Sequence, residues 1–308
     1  HYRGLCPEAC MSDDRQVSNI VKNFKTILFI LVVSLLVSLV ALNWRQVFAA
    51  FSEHYPVLLV VASIVVVSLA LQAYNFLQLL GVERRIPFLQ AWHTWAIANI
   101  VNYLGPLQPG LAVRLAYFKS FGVPVIETTR ATLRQLVFST WIASGMTVFG
   151  LLSDDAGIRL FAAGGCLVFV MSPWIVASLK SVICNANGST WVCGLIRPLL
   201  DLCRLGMPLF KLWPFVMQYL LMALNLYVVY NEFGVDLKVE EAILLAVVFA
   251  LSTLVALTPN NLGVQELLLG SVAYWGGMSG GDALSMTIFI RVAHLIACTF
   301  VVVATTRK

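Results

Sequence analysis

The chain has 308 residues, 60% of them hydrophobic and 11% charged, with a mean hydropathy of +0.87. That composition excludes an ordinary soluble domain of this length. The net charge of +5 comes from bases scattered between apolar runs, which excludes a nucleic-acid-binding stripe.

In chain order, residues 1–25 form a polar N-terminal tail. Its first ten residues precede Met11 and read as a non-native or upstream remnant. A run at 26–43 is long enough to stay as a first anchor and has no cleavage pattern after it. Further apolar runs follow at 56–80, 88–105, 134–152, 158–179, 212–231, 241–257, 262–277 and 283–304. Stretches such as 27–42 and 56–71 are apolar on every face, so the spans are helices and not alternating barrel strands. Residues 26–305 read as a single integral membrane domain with a cytoplasmic connection at 181–211.

A span takes about 20 residues, so the runs at 88–105, 241–257 and 262–277 are short. Each lies beside a helix-breaking sequence: Gly105-Pro106-Leu107-Gln108-Pro109-Gly110 in one region and Pro259-Asn260-Asn261-Leu262-Gly263 in the other. Short apolar helices flanking a break predict re-entrant hairpins at 88–118 and 241–277. The fold class is therefore all-α, a polytopic transmembrane bundle of about six full spans plus the two hairpins.

Base placement orients it, because cytoplasmic loops carry the excess of Lys and Arg. With both termini cytoplasmic, the first hairpin entering from inside and the second from outside, all twenty Lys and Arg except Arg45, Arg159, Lys238 and the intramembrane Arg291 fall on the cytoplasmic side. A full crossing at 88–105 would instead strand Arg114, Lys119, Arg130 and Arg134 in one external loop. Hairpins entering from opposite faces are the pattern of an inverted repeat whose breaks meet near the midplane.

The residues able to carry chemistry sit at those breaks. Pro259 frees a carbonyl and Gly263 allows close backbone approach, while Asn260 and Asn261 offer neutral hydrogen bonds or helix caps. Glu266, one turn into the next helix, pairs with a cation, takes a proton, or accepts the amides of its own helix N-terminus. Arg291 lies deep in the last run with His294 one turn on, and a lone buried charge is far costlier than a paired one, so Glu266 and Arg291 are natural partners. That pair either locks two helices or presents a guanidinium to a phosphate. At the first break Asn99, Asn102 and Tyr103 share a helical face, serving a headgroup or the hairpin's own freed groups, with Gly110 and Pro106 shaping the turn. Arg114 beyond it either binds an anion or anchors at the cytoplasmic interface. Trp92, Trp95, Trp174, Trp191 and Trp213 read as interfacial belt residues.

No metal-ligand spacing, phosphate-cradling glycine loop or nucleophile elbow is present, so no catalytic residue, metal or cofactor is assigned. The seven cysteines are an odd, dispersed set that forms no disulfide framework.

Pro259, Leu262, Gly263 and Glu266 resemble the Pro-Gly-Gly-Leu-Gly-x-x-Glu signature of the lysylphosphatidylglycerol synthase transmembrane-region family, with Asn260 and Asn261 in place of its two glycines. Pro106 through Arg114 is similar to its Pro-x-Arg-x-Gly-Glu-x-x-Arg element: Pro106, Gly110 and Arg114 match, and Gln108 and Leu111 depart. Arg291 fits the family's final-helix arginine. The resemblance spans about 20–305 in spacing and hydropathy. It implies a stand-alone membrane domain that translocates lipid headgroups. With Leu111 in place of the acid and no aminoacyl-transferase domain in these 308 residues, it does not imply transfer of lysine to lipid.

The expectation is a flippase of the bacterial inner membrane that moves a phosphate-bearing lipid or lipid-linked glycan between leaflets. Its substrate-binding residues would be Asn102, Arg114, Asn260, Asn261, Glu266 and Arg291. The alternatives are a membrane-embedded enzyme or accessory subunit of glycolipid or cell-envelope synthesis, and a scaffold without a ligand. Partners are membrane lipids, with envelope or glycolipid biosynthetic enzymes and a homo-oligomeric copy left open.

Overall fold

The computed structural model describes residues 34, 38, 41–42, 44–80, 86–103, 109–153, 156–185, 212–252 and 264–306. The described residues build a polytopic helical bundle: α1 (Trp44–Glu53), α2 (Tyr55–Leu80), α3 (Phe88–Asn102), α4 (Pro109–Ser120), α5 (Val125–Met146) continued by a 3-10 segment (Thr147–Leu152), α6 (Ala156–Asn185), α7 (Trp213–Glu232), α8 (Val239–Ser252), α9 (Val264–Trp275) and α10 (Gly280–Thr306). Four of these units are long and apolar enough to cross a membrane: α2, α5 with its extension, α7 and α10.

Local chemistry sets the boundaries. Proline, which lacks an N–H and is pre-set for a first helical turn, stands within one residue of the starts of α2, α3, α4, α5 and α7, as Pro56, Pro87, Pro109, Pro124 and Pro214. Gly122, Gly234 and Gly277 end α4, α7 and α9 with φ of 77°, 85° and 93°, the left-handed region where a Cβ is penalised. The residue after each of these glycines closes the turn back onto the helix: the amides of Val123, Val235 and Met278 donate to the carbonyls of Phe118, Tyr230 and Ala273. At the start of α10, Ser279 caps the Asp282 amide at 3.2 Å and donates its hydroxyl to the Asp282 carboxylate at 2.7 Å.

Side-chain contacts fix the directions. α2 and α7 run antiparallel, since His54 meets Glu232 at one end and Asn75 meets Gln218 toward the other. α3 lies antiparallel to α10: His93 Nδ1 is 2.7 Å from Thr305 Oγ1, and Tyr103 OH is 3.3 Å from His294 Nδ1. Let the first face be the one at which α2 and α10 end. The α3–α4 arms then enter from the first face and turn back to it, with Arg114 of α4 over the Trp95 ring of α3. The α8–α9 arms enter from the second face, where α9 packs on the end of α7 through Tyr230 OH donating to the Leu269 carbonyl at 2.7 Å. α5 and α6 close on one another where Thr147 donates to the Ala162 carbonyl at 3.2 Å and Gly165 leaves no room for a Cβ beside it. Small residues and cross-helix hydroxyls take the place of a hydrophobic drive that lipid does not supply.

Trp44–Glu53, between the predicted runs at 26–43 and 56–80, is helix, and it packs on the last span through Phe51 against Phe289, ring centroids 5.5 Å apart. Its apolar side chains recur at helical spacing, and burying Phe51 and Ala50 favours helix over a solvated loop. Trp95 is not an interfacial belt residue: it is 5% exposed, packed against Phe76, with its indole N–H donated to Gln72 at 2.8 Å. Once that N–H has a partner, the ring's large apolar area favours burial.

Candidate functional site

α3 ends at Asn102 and α9 begins at Val264, and both ends come to the same level of α10. That level is Arg291, about 16 Å of helix below the start of α10 and so near the middle of a bilayer. Its Nε donates to Glu266 Oε1 at 2.7 Å, with the two side chains 16% and 10% exposed. Its Nη1 lies 3.5 Å from Tyr103 OH, and its Cζ is 5.7 Å from the Tyr103 ring centroid. Tyr103 in turn reaches His294. A carboxylate from the second-face hairpin and a tyrosine from the first-face hairpin thus converge on one guanidinium.

Beside this cluster is a cavity of about 280 Å³. Its polar wall comes from Gln72 of α2, Asn99 and Tyr103 of α3, Gln218 of α7, Gln265 of α9, and Arg291 of α10. Met222, Phe249 and Leu269 supply its apolar part. Polar groups at membrane depth are tolerated where they line a cavity or meet one another, and this wall does both. Arg291 and Glu266 are held in register by packing on either side. The neighbouring α10 positions Phe289, Ile290 and Ala293 are buried in the core, as is Leu269 one turn on from Glu266.

A larger hollow of about 530 Å³ opens at the second face between the α1–α2 junction, the end of α7 and the α9–α10 junction. Glu53, His54, Glu232 and Asp282 line it, with His54 Nδ1 2.9 Å from Glu232 Oε1. Its groups are exposed and partly bonded to one another, so it is an acidic mouth and the smaller, deeper cavity is the candidate site.

The structure brings Glu266 and Arg291 together, as their shared burial requires. Asn102 is placed otherwise: its Oδ1 accepts the Gly110 amide at 2.8 Å, tying α4 to α3, and Asn99 donates to the Trp95 carbonyl at 2.9 Å. Gly110 is the reason this approach is feasible, since a Cβ there would collide with the Ala98 carbonyl. Arg114 does not line the cavity. It lies over Trp95 with its Cζ 4.4 Å from the ring centroid, and its Nε has no hydrogen-bond partner among the described residues. Trp95 connects it to the wall residue Gln72. Pro106, Pro259, Asn260, Asn261 and Gly263 lie outside the described residues.

Gln72, Gln218 and Gln265 escaped the sequence reading, which weighed ionisable groups and overlooked uncharged amides inside apolar runs. The signal was available: an amide at membrane depth is itself costly and points inward.

The family model described as the lysylphosphatidylglycerol synthase TM region matches residues 26–301, nearly the whole chain. No curated protein and no solved structure matches.

Proposed function

The chain belongs to the lysylphosphatidylglycerol synthase transmembrane-region family, and from that membership together with the buried cavity we propose that it moves a phosphate-bearing lipid or lipid-linked glycan between the leaflets of the bacterial inner membrane. The observation that carries this reading is the polar cavity at the depth where hairpin arms from opposite faces both end. A headgroup entering it exchanges water for Arg291 and amide donors while its acyl tails stay in lipid. That removes most of the cost of carrying charge through hydrocarbon.

Arg291 holds the phosphate, its planar fork suited to two oxygens at once, and Glu266 fixes the guanidinium from the α9 side. Tyr103 carries the first-face hairpin to the same group. The first face is assigned to the cytoplasm, because Lys119, Arg130 and Arg134 cluster toward it, whereas Glu53, Glu232, Asp236, Glu240 and Asp282 gather at the second.

Reconstituted vesicles test this. Labelled phospholipids should exchange between leaflets faster than in protein-free vesicles. Arg291→Ala should slow exchange at least about tenfold, the effect of losing roughly 1.4 kcal/mol of headgroup binding. Exchange equal to protein-free vesicles for every lipid tried would leave a scaffold, and a lipid of changed mass would identify an enzyme.

A further inference from the structure

The reading of the cavity as a headgroup site is the premise here, and the hydrogen-bonding state of its wall bears on which headgroup it takes. The Gln72 side-chain oxygen accepts the Trp95 indole N–H at 2.8 Å. An indole nitrogen only donates, so this amide's orientation is fixed and its N–H groups remain to be used. The Gln218 oxygen is likewise engaged, by Asn75 Nδ2 at 3.3 Å. Gln265 is 4% exposed, lines the same wall and makes no side-chain hydrogen bond among the described residues. Tyr219 donates to the Ser139 carbonyl at 2.9 Å and bonds the Ser139 hydroxyl at 2.7 Å, so those groups satisfy each other. Among the described residues no carboxylate lines the cavity, and Arg291 is its permanently charged member. Glu266 bonds Arg291 without contributing to the wall.

The wall thus presents Arg291 and the amide N–H groups of Gln72, Gln218 and Gln265, and the acceptors beside them, on Asn99, Gln265, Tyr103 and His294, are uncharged. We propose that the cavity selects lipid headgroups by charge: it takes an anionic phosphate esterified to a hydroxyl-bearing group and rejects a headgroup that carries an ammonium. Phosphate oxygens accept from Arg291 and from the Gln72, Gln218 and Gln265 amides at once. An ammonium meets only uncharged acceptors there, beside a guanidinium, and no carboxylate among the described lining residues offsets the loss of its water. The aminoacylated lipids that the family resemblance suggests carry such a group, so this cavity would reject them.

The test measures binding alone, so that it stands or falls apart from transport. The full chain in detergent is titrated with short-chain phosphatidylglycerol and phosphatidylethanolamine, followed by tryptophan fluorescence, with free glycerol 3-phosphate alongside. Phosphatidylglycerol should bind at least about tenfold more tightly than phosphatidylethanolamine. Gln265→Glu, which puts a carboxylate on the wall, should bring that ratio to unity or reverse it, and Gln72→Glu serves if the first variant does not fold.

Equal affinity for the two lipids, no binding of either, or a ratio unmoved by the added carboxylate overturns the proposal. So does glycerol 3-phosphate binding as tightly as the lipid, which reassigns the site to a soluble phosphate. A tenfold preference without leaflet exchange in vesicles keeps the charge selection and removes transport. Exchange of both lipids with equal affinity does the opposite.

Discussion

Arg291 and Glu266 share one buried contact, and the energetics of that contact make a prediction that does not depend on what the cavity binds. Their 2.7 Å bond offsets two desolvation costs, so removing either partner takes from the other the opposite charge it meets in this contact. Glu266→Gln is expected to destabilise the chain by about 3 kcal/mol, near the low end for breaking a buried pair because the amide still accepts one hydrogen bond. Replacing both, as Glu266→Gln with Arg291→Met, should recover most of that loss. Thermal unfolding in detergent checks it: if the double variant melts lower than the single, the pair does not act as a unit. Trp95 offers a second residue-level expectation. Trp95→Phe keeps most of the packing against Phe76 but deletes the N–H that holds Gln72, freeing that oxygen to face the cavity. The preference for phosphatidylglycerol over phosphatidylethanolamine should fall several-fold with it, read in the same binding titration.

The first hairpin depends on one fastening. Asn102 supplies the acceptor for the Gly110 amide, and Gly110 supplies the space that lets α4 begin against α3. Asn102→Ala leaves a buried amide without its acceptor, a loss of about 1–3 kcal/mol. Gly110→Val is worse, because its first carbon would enter the Ala98 carbonyl and backbone cannot yield as a flexible side chain does. Both variants should open the α3–α4 arms to protease and lower the melting temperature, with Gly110→Val the more severe. Equal protease resistance in all three proteins would show that the arms are held elsewhere, for instance by the Phe76, Trp95 and Phe118 ring cluster.

The bundle places the two hairpins on opposite sides of Arg291, and that arrangement has a direct topological test. In a background with the seven native cysteines replaced by serine, a cysteine at exposed Lys119 should react with an impermeant maleimide only from the cytoplasmic side. One at exposed Asp236 should react only from outside. Labelling of both from one side would undo the opposed entry of the hairpins. The acidic mouth at the second face fits this orientation, since basic residues are what the cytoplasmic side accumulates.

Much of this was legible in the chain. Continuous apolar runs fixed the helical class, because backbone groups in lipid must be satisfied within the segment. Short runs beside Pro and Gly marked the hairpins, and the cost of an unpaired buried charge joined Glu266 to Arg291 before any coordinates. What the sequence could not decide was orientation about each helix axis. Asn102 and Arg114 carry the same chemistry whether they face a cavity or the hairpin's own interior. Only packing turned Asn102 onto the Gly110 amide, set Arg114 on Trp95, and brought Gln72, Gln218 and Gln265 from three separate helices onto one wall. Hydropathy records how deep a residue lies, whereas which neighbours it meets at that depth is set by side chains distant in the chain.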